Sequence, residues 1–477
     1  MRRHKVTFRH TDSFGFHVVI VIFGLVLFFC PTENTNAATY AVCAVGCEYS
    51  TIQGVFSSND LGPGDIVDVY ADTPGSTKTF METVSPGPDD FGVVGDPLLI
   101  RGHTGDTIII DAQNLRNYCL DVNYATNDYI TFTNFTLINA TGYSARVRPA
   151  NSSDFITGFT FTGNNVIIAE NGATSNAHEG FLAEWNDDLV VSNNNITTAD
   201  AAMPYQTDGI YIQNSLDAVI ENNTVEIRND NGVGHNDCMQ LAAINYMGNM
   251  IIRNNTFIQN SDATTYTQNL YLEYPKEGTI KIYNNKFVVS NLSTGSYALT
   301  VTPKSTSSVG VWIENNSFWL NGNDPGIRTD QYVARPYIRN NALHNNNGSS
   351  NTSAIWIESS GVVPERINNN IWYLANAGGN MFRDFAGFKT WLQWQAAGYD
   401  TSGYNVAPGF NNLTDWDLSL SSSSFALNKG MSLGADFNDD ILGNVRSGAW
   451  DIGAYEYVSV TPGDLTAPAT PNGLAVQ

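Results

Sequence analysis

The feature that most constrains this chain is a recurring Asn-Asn pair framed by apolar residues. It appears in VVSNNNI, VIENNTV, IIRNNTF, KIYNNKF, VWIENNSF, YIRNNAL and RINNNI. The first paired residues are Asn193, Asn222, Asn254, Asn284, Asn315, Asn340 and Asn368, at spacings of 29, 32, 30, 31, 25 and 28. ITFTNFTL at 130–137 and ITGFTFTG at 156–163 read as degenerate earlier copies. A period this regular identifies a repeat architecture, whose core grows by addition of units.

Each copy offers a short run in which β-branched or aromatic residues alternate with polar ones, the pattern of a strand with one buried face. No copy holds an uninterrupted helical pattern, the repeated leucines of a leucine-rich repeat are absent, and propeller blades need longer periods. The expectation is an all-β, right-handed parallel β-helix solenoid with about three short strands per coil. Asn tolerates left-handed backbone, and its amide can bond backbone groups at a turn. Stacked coils should therefore align these amides as a structural ladder, a reading preferred to a glycan-binding Asn row. Solenoid ends need covers. Residues 49–56 read as a short N-terminal capping helix, and the Trp-rich, helix-compatible stretch from Phe382 to Ala397 as the cover at the other end.

Residues 1–38 read as a signal peptide. Arg2, Arg3, Lys5 and Arg9 precede an apolar run from Val18 to Cys30, with small residues at Ala37 and Ala38. The expected location is extracellular or at the cell surface, with no stable membrane insertion after cleavage. Residues 39–457 are assigned to the solenoid and its caps, and residues 458–477 to a linker or the truncated start of a fibronectin type III-like domain. The whole chain has a formal net charge of -23. Such an acidic balance excludes a general nucleic-acid partner, because neutralising a phosphate backbone needs Lys and Arg in quantity. An acidic polymer would likewise need bound cations or a local basic patch. Cys43 and Cys47 can form a small clip in an oxidising compartment, while Cys119 and Cys238 read as small buried residues.

YSTIQGVFSSNDLGPGDIVDVYA at 49–71, TWLQWQAAGYDTSGYN at 390–405 and GADFNDDILGNVRSGAWDIGAYEY at 434–457 give the chain a family resemblance. It resembles bacterial secreted pectate-lyase-like right-handed parallel β-helix proteins with a choice-of-anchor Q type C-terminal region. The resemblance implies an exported carbohydrate-interacting or cell-surface protein; a shared fold does not assign a reaction.

Registering the repeat yields further columns. Glu179, Asp208, Asp237, Gln268 and Ser296 fall at related turn positions, and three residues on come Leu182, Tyr211, Gln240, Tyr271 and Leu299. With Ile210, Met239 and Leu270 pointing inward, Tyr211, Gln240 and Tyr271 should form an outward sugar platform. The segment GHNDCMQL at 234–241 departs most from the repeat and concentrates ionisable chemistry. For a polyuronate lyase acting by β-elimination, the candidate catalytic residues are His235 and Tyr271 for proton transfer and Lys276 and Arg328 for charge neutralisation. Tyr211, Gln240, Glu273 and Lys304 are candidate substrate-binding residues. Asp208 and Asp237 are candidate ligands for calcium, which prefers oxygen donors. The expected partner is a polysaccharide or cell-surface glycan. Non-catalytic glycan binding, as in an adhesin, and polysaccharide hydrolysis are the alternatives.

Overall fold

The computed structural model describes residues 37–458, except for 169–177, 200–206, 229–234, 243–247, 261–266, 276–277, 291–296, 304–308, 323–324, 334, 347–351 and 376–380. The signal-peptide reading, up to residue 36, and the reading of the C-terminal tail, beyond residue 458, lie outside the described residues. So do Lys276 and Lys304.

Among the described residues three long sheets carry the fold, with 12, 11 and 11 strands. One coil illustrates the path. Met250–Arg253 lies in sheet 1, the chain turns at Asn254 and Asn255, Thr256–Gln259 lies in sheet 2, and Thr267–Glu273 lies in sheet 3. Each strand pairs in parallel with its counterpart one coil on: Met250 with Ile280, Thr256 with Lys286, and Leu270 with Leu299. Period-2 alternation then sends Ile252, Phe257 and Leu272 into a core that runs along the stack. Phe257, Phe287 and Phe318 stack ring on ring through successive coils.

The two residues of each Asn pair do different work. The first takes left-handed backbone, with φ between 53° and 57° at Asn193, Asn222, Asn254, Asn284, Asn315 and Asn340. This turns the chain from sheet 1 into sheet 2, at low cost for Asn. The second is buried and joins a ladder through Asn164, Asn194, Asn223, Asn255, Asn285, Asn316, Asn341 and Asn370. Asn285, for example, donates from Nδ2 to the Ile252 carbonyl and to Asn316 Oδ1, and its Oδ1 accepts from the Asn255 backbone N–H. These buried amides thus satisfy backbone groups that the corner leaves unpaired. In the last copy the turn falls one residue later than the sequence spacing suggests. Asn369, at φ 57°, makes the turn and Asn370 enters the ladder, so Asn368 is the last strand residue before the corner.

The ladder ends on Asp400. Its Oδ1 accepts from the Asn370 side chain at 2.8 Å, and its Oδ2 accepts from the indole N–H groups of Trp372 and Trp394 at 2.8 and 3.0 Å. Trp394 belongs to the helix Trp391–Ala396 and stacks on Phe382 and Tyr399, closing that end of the core. The helix is shorter than the Phe382–Ala397 stretch. Phe382–Asp384 pairs with the preceding coil of sheet 3, and Gly387, at φ 115°, helps turn the chain back into Gly387–Lys389. At the other end the expected capping helix is present as Ile52–Phe56, with Thr51 as N-cap and Ile52, Val55 and Phe56 buried. Cys43 and Cys47 form a disulfide, and Cys119 and Cys238 are free and buried. The segment after Tyr404 folds over the outer face of sheet 2, where Phe410, Leu418 and Ile452 cover Val288, Trp319 and Ile371. Among the described residues no helix is long and apolar enough to cross a membrane.

Candidate metal centre and glycan face on sheet 3

Sheet 3 departs from simple alternation at one column. Gly180, Gly209, Cys238 and Asn269 occupy it, and these residues are skipped in the otherwise continuous strand pairing. They face the interior. A Cβ on Gly209 would meet Val225 Cγ1 at 2.2 Å, Cys238 is a core residue, and Asn269 donates to the Val288 carbonyl across the coil. The next column, Phe181, Ile210, Met239 and Leu270, is also core. Two adjacent inward columns put the residues on either side, Asp208 and Tyr211 in one coil and Asp237 and Gln240 in the next, on the outer face. An irregularity of this kind re-aims side chains.

The acidic column is in register: Glu179 pairs with Asp208, Asp208 with Asp237, and Asp237 with Gln268. These are strand positions, not the turn positions expected from spacing, and Tyr297 follows Gln268 where Ser296 was expected. Each Asp reaches forward one coil. Asp208 Oδ1 accepts from the Asp237 N–H at 3.0 Å, and Asp237 Oδ1 accepts from the Gln268 N–H at 2.8 Å. Both carboxylates are 0 % exposed, and Glu179 is 5 % exposed. Burial, then the charge of Asp208, pushes the Asp237 and Glu179 carboxyls well above the usual carboxylate range.

His235 stands beside this column with its side chain 29 % exposed. Its Nδ1 lies 3.3 Å from Asp237 Oδ2, and its ring meets Tyr271 edge-on at 5.5 Å between centroids. Burial lowers the imidazole's pKa, an effect partly offset by a hydrogen bond with the Gln268 side chain. One ligand atom from each of Asp208, His235 and Asp237 lies within 4.8 Å of the other two. Two carboxylates suit a hard cation and the imidazole suits a first-row transition metal, so the donor set fits a divalent cation. A cation would also offset the repulsion in a buried carboxylate stack.

The outer row runs Arg146, Leu182, Tyr211, Gln240, Tyr271, Thr300, Arg328, Trp356 and Arg383, one residue per coil. Thr300 holds the place expected for Leu299, which instead pairs with Leu270 and points into the core. Gln240 Nε2 donates to Glu273 Oε2 at 2.9 Å. Burial raises the pKa of the Tyr211 and Tyr271 phenols and of the Glu273 carboxyl. Both phenols are therefore neutral near pH 7. Tyr271 meets the His235 ring, whereas Arg328 lies two coils beyond Tyr271 and is held by Glu358 at 2.8 Å. Trp356 and Arg383 were not singled out from sequence. The spacing of 28 residues from Arg328 to Trp356 and of 27 from Trp356 to Arg383 was the signal available, but the stretch from the Asn pair to the sheet 3 strand shortens in these coils.

Residues 120–318 match the family model described as "Right handed beta helix region". The fold is a right-handed parallel β-helix. The match stops short of the 434–457 segment on which the choice-of-anchor Q resemblance rests. No curated protein sequence matches the chain. Among solved structures, the pectate lyase Pel9A aligns at 15 % identity over 88 % of this chain and 96 % of its own, with a TM-score of 0.52. XylC in complex with xylose aligns at 9 % identity over 88 % of this chain and 98 % of its own, with a TM-score of 0.47. PfbA, a surface adhesin of Streptococcus pneumoniae, aligns at 12 % identity over 68 % and 80 %, with a TM-score of 0.35. At these identities the likeness concerns the fold.

Proposed function

We propose that the chain is an exported, carbohydrate-directed β-helix protein that binds an acidic polysaccharide along sheet 3 and cleaves it by β-elimination, as a polyuronate lyase. The observation that carries this reading is the meeting of Asp208, His235 and Asp237 within 4.8 Å, beside the outer row of Tyr211, Gln240 and Tyr271. Its scaffold, shared with a pectate lyase, supports the substrate class. The strongly acidic chain makes bound cations the natural means of holding a polyanion.

Asp208 and Asp237 would hold calcium or a similar cation, with His235 at its edge; when bound, the ion supplies positive charge to a uronate carboxylate. His235 is neutral near pH 7 and would take the proton α to that carboxylate on a ring nitrogen. The electron pair left behind forms the double bond as the β carbon–oxygen bond breaks. Tyr271, neutral because burial raises its pKa, gives the departing glycosidic oxygen a proton. Gln240, Glu273 and Tyr211 would orient the sugar from the same face; the sequence reading adds Lys276 and Arg328 for charge neutralisation and Lys304 for substrate binding.

A second reading is glycan binding without cleavage. Full burial of Asp237 favours it, since a cation there could serve stability alone. Inverting hydrolysis is less well supported: Asp208 and Asp237 sit one strand spacing apart, about 4.8 Å, closer than the roughly 6.5–9.5 Å that an inverting water site needs. A panel of acidic and neutral polysaccharides, assayed with calcium and with chelator, separates the readings. Elimination gives an unsaturated, ultraviolet-absorbing product. New reducing ends without that absorbance mean hydrolysis, and binding with neither product means a non-catalytic module.

A further inference from the structure

Beyond the His235 cluster, the outer row of sheet 3 changes character. Trp356 is flanked by two guanidinium groups from neighbouring coils: Arg328 lies 4.7 Å and Arg383 3.8 Å from its ring centroid. Arg383 is also 5.1 Å from the ring of Phe388, so two aromatic rings lie against its guanidinium. Trp356, Glu358, Arg383, Asp384, Phe385 and Gly387 line a cavity of about 240 Å³. That is small for a pocket and suits a single monosaccharide unit. Phe385 and Phe388 stand exposed at its rim, at 58 % and 40 %.

The charges in this cavity are already assigned, with one exception. Glu358 is paired with Arg328 at 2.8 Å, and Asp384 with Lys389 at 3.1 Å. Asp330 adds a negative charge near Arg328. Among the described residues no carboxylate pairs with Arg383. A guanidinium oriented by stacking and with unused donors is the group that best matches a carboxylate.

We infer that this cavity is a distal subsite that binds the carboxylate of one uronate residue, with Arg383 as its anion contact and Trp356 as its stacking platform. The inference rests on the proposed polyuronate reading and extends it. From Asp237 to Arg383 the row crosses five coils, through the strands of Gln268, Leu299, Ile327, Ile355 and Phe382. At about 4.8 Å per coil this is roughly 24 Å. Only a polymer or long oligomer can occupy both places, which gives the subsite a role in gripping long chains and leaves short ones indifferent to it.

The test uses the full-length protein, with polygalacturonate and alginate and their carboxyl-reduced counterparts as probes, in calorimetry and affinity electrophoresis. Arg383→Gln should weaken binding of the acidic polymer roughly ten- to a hundredfold, the scale of one charge-assisted hydrogen bond. Binding of the carboxyl-reduced polymer should be unchanged, and so should the rate on a trisaccharide. Trp356→Leu should weaken both polymers, and thermal melts confirm that each variant is folded. Wild-type affinity of Arg383→Gln for the acidic polymer, or equal losses on acidic and reduced polymers, overturns the subsite while leaving the proposed function standing. If the wild-type protein binds no polyuronate, the proposed function fails and the subsite falls with it.

Discussion

The Asp237 backbone N–H donates to Oδ1 of Asp208 at 3.0 Å, so one buried carboxylate is anchored on the strand that carries the next. That arrangement fixes two acids one coil apart beneath His235, a costly one unless positive charge or protons are present.

Divalent cations should therefore stabilise the protein through this pair. In a thermal melt, calcium at about 100 times its Kd should add about 2.7 kcal/mol, and chelator should remove it. Asp237→Asn should abolish that response. Because it relieves like-charge repulsion, the variant should also melt no lower than wild type in chelator.

The Asn ladder should be a stability element with no part in ligand binding. Asn285→Ala leaves buried backbone groups without partners and should cost about 1–3 kcal/mol in urea denaturation, with glycan binding intact. Asn222, at φ 57°, tests the other half of the pair. Asn222→Gly should be nearly neutral, and Asn222→Val should cost about 1–2 kcal/mol from left-handed strain.

Asp400 should be the most sensitive point of the C-terminal end. Asp400→Ala strands the indole N–H groups of Trp372 and Trp394 together with the Asn370 amide, and should destabilise more than Asn285→Ala. Asp400→Asn, which keeps an acceptor, should cost less. Denaturant midpoints for the three variants check the order.

Glu314 gives a pH prediction. Burial pushes its carboxyl up to about 7, against the pull of Arg339, whose Nε donates to it at 2.6 Å. A carboxyl whose pKa is raised on folding binds its proton more tightly in the native state. Its contribution to stability is full below about 4.5 and is lost as pH rises through about 7. The loss is on the order of 3 kcal/mol, for a carboxyl moved from 4.5 to about 7. Glu314→Gln should flatten the decline in stability between pH 5 and 7.5, measured by denaturant midpoints at each pH.

The fold was legible because the same Asn pair both turns the chain and stitches the coils, leaving a mark every 25 to 32 residues. The column from Glu179 to Gln268 was legible for the same reason, since constant coil length keeps register. Its facing was not. The inward Gly209 and Cys238 column lets Asp208 and Tyr211 share the outer face, a local departure that no spacing records. Register beyond Tyr271 slipped by one, to Thr300 in place of Leu299, because turn lengths vary between coils. Trp356 and Arg383 went unread because the stretch between the Asn pair and the sheet 3 strand shortens there, to 16 residues after Asn340 and 15 after Asn368, against 18 from Asn222 to Gln240 and 17 from Asn254 to Tyr271.

The most direct test of the central claim is anomalous diffraction from crystals equilibrated with manganese. The account predicts a peak between Asp208, His235 and Asp237, about 2.0–2.6 Å from the carboxylate oxygens. Saturating manganese with no peak there, and Asp208 and Asp237 unmoved, would contradict it.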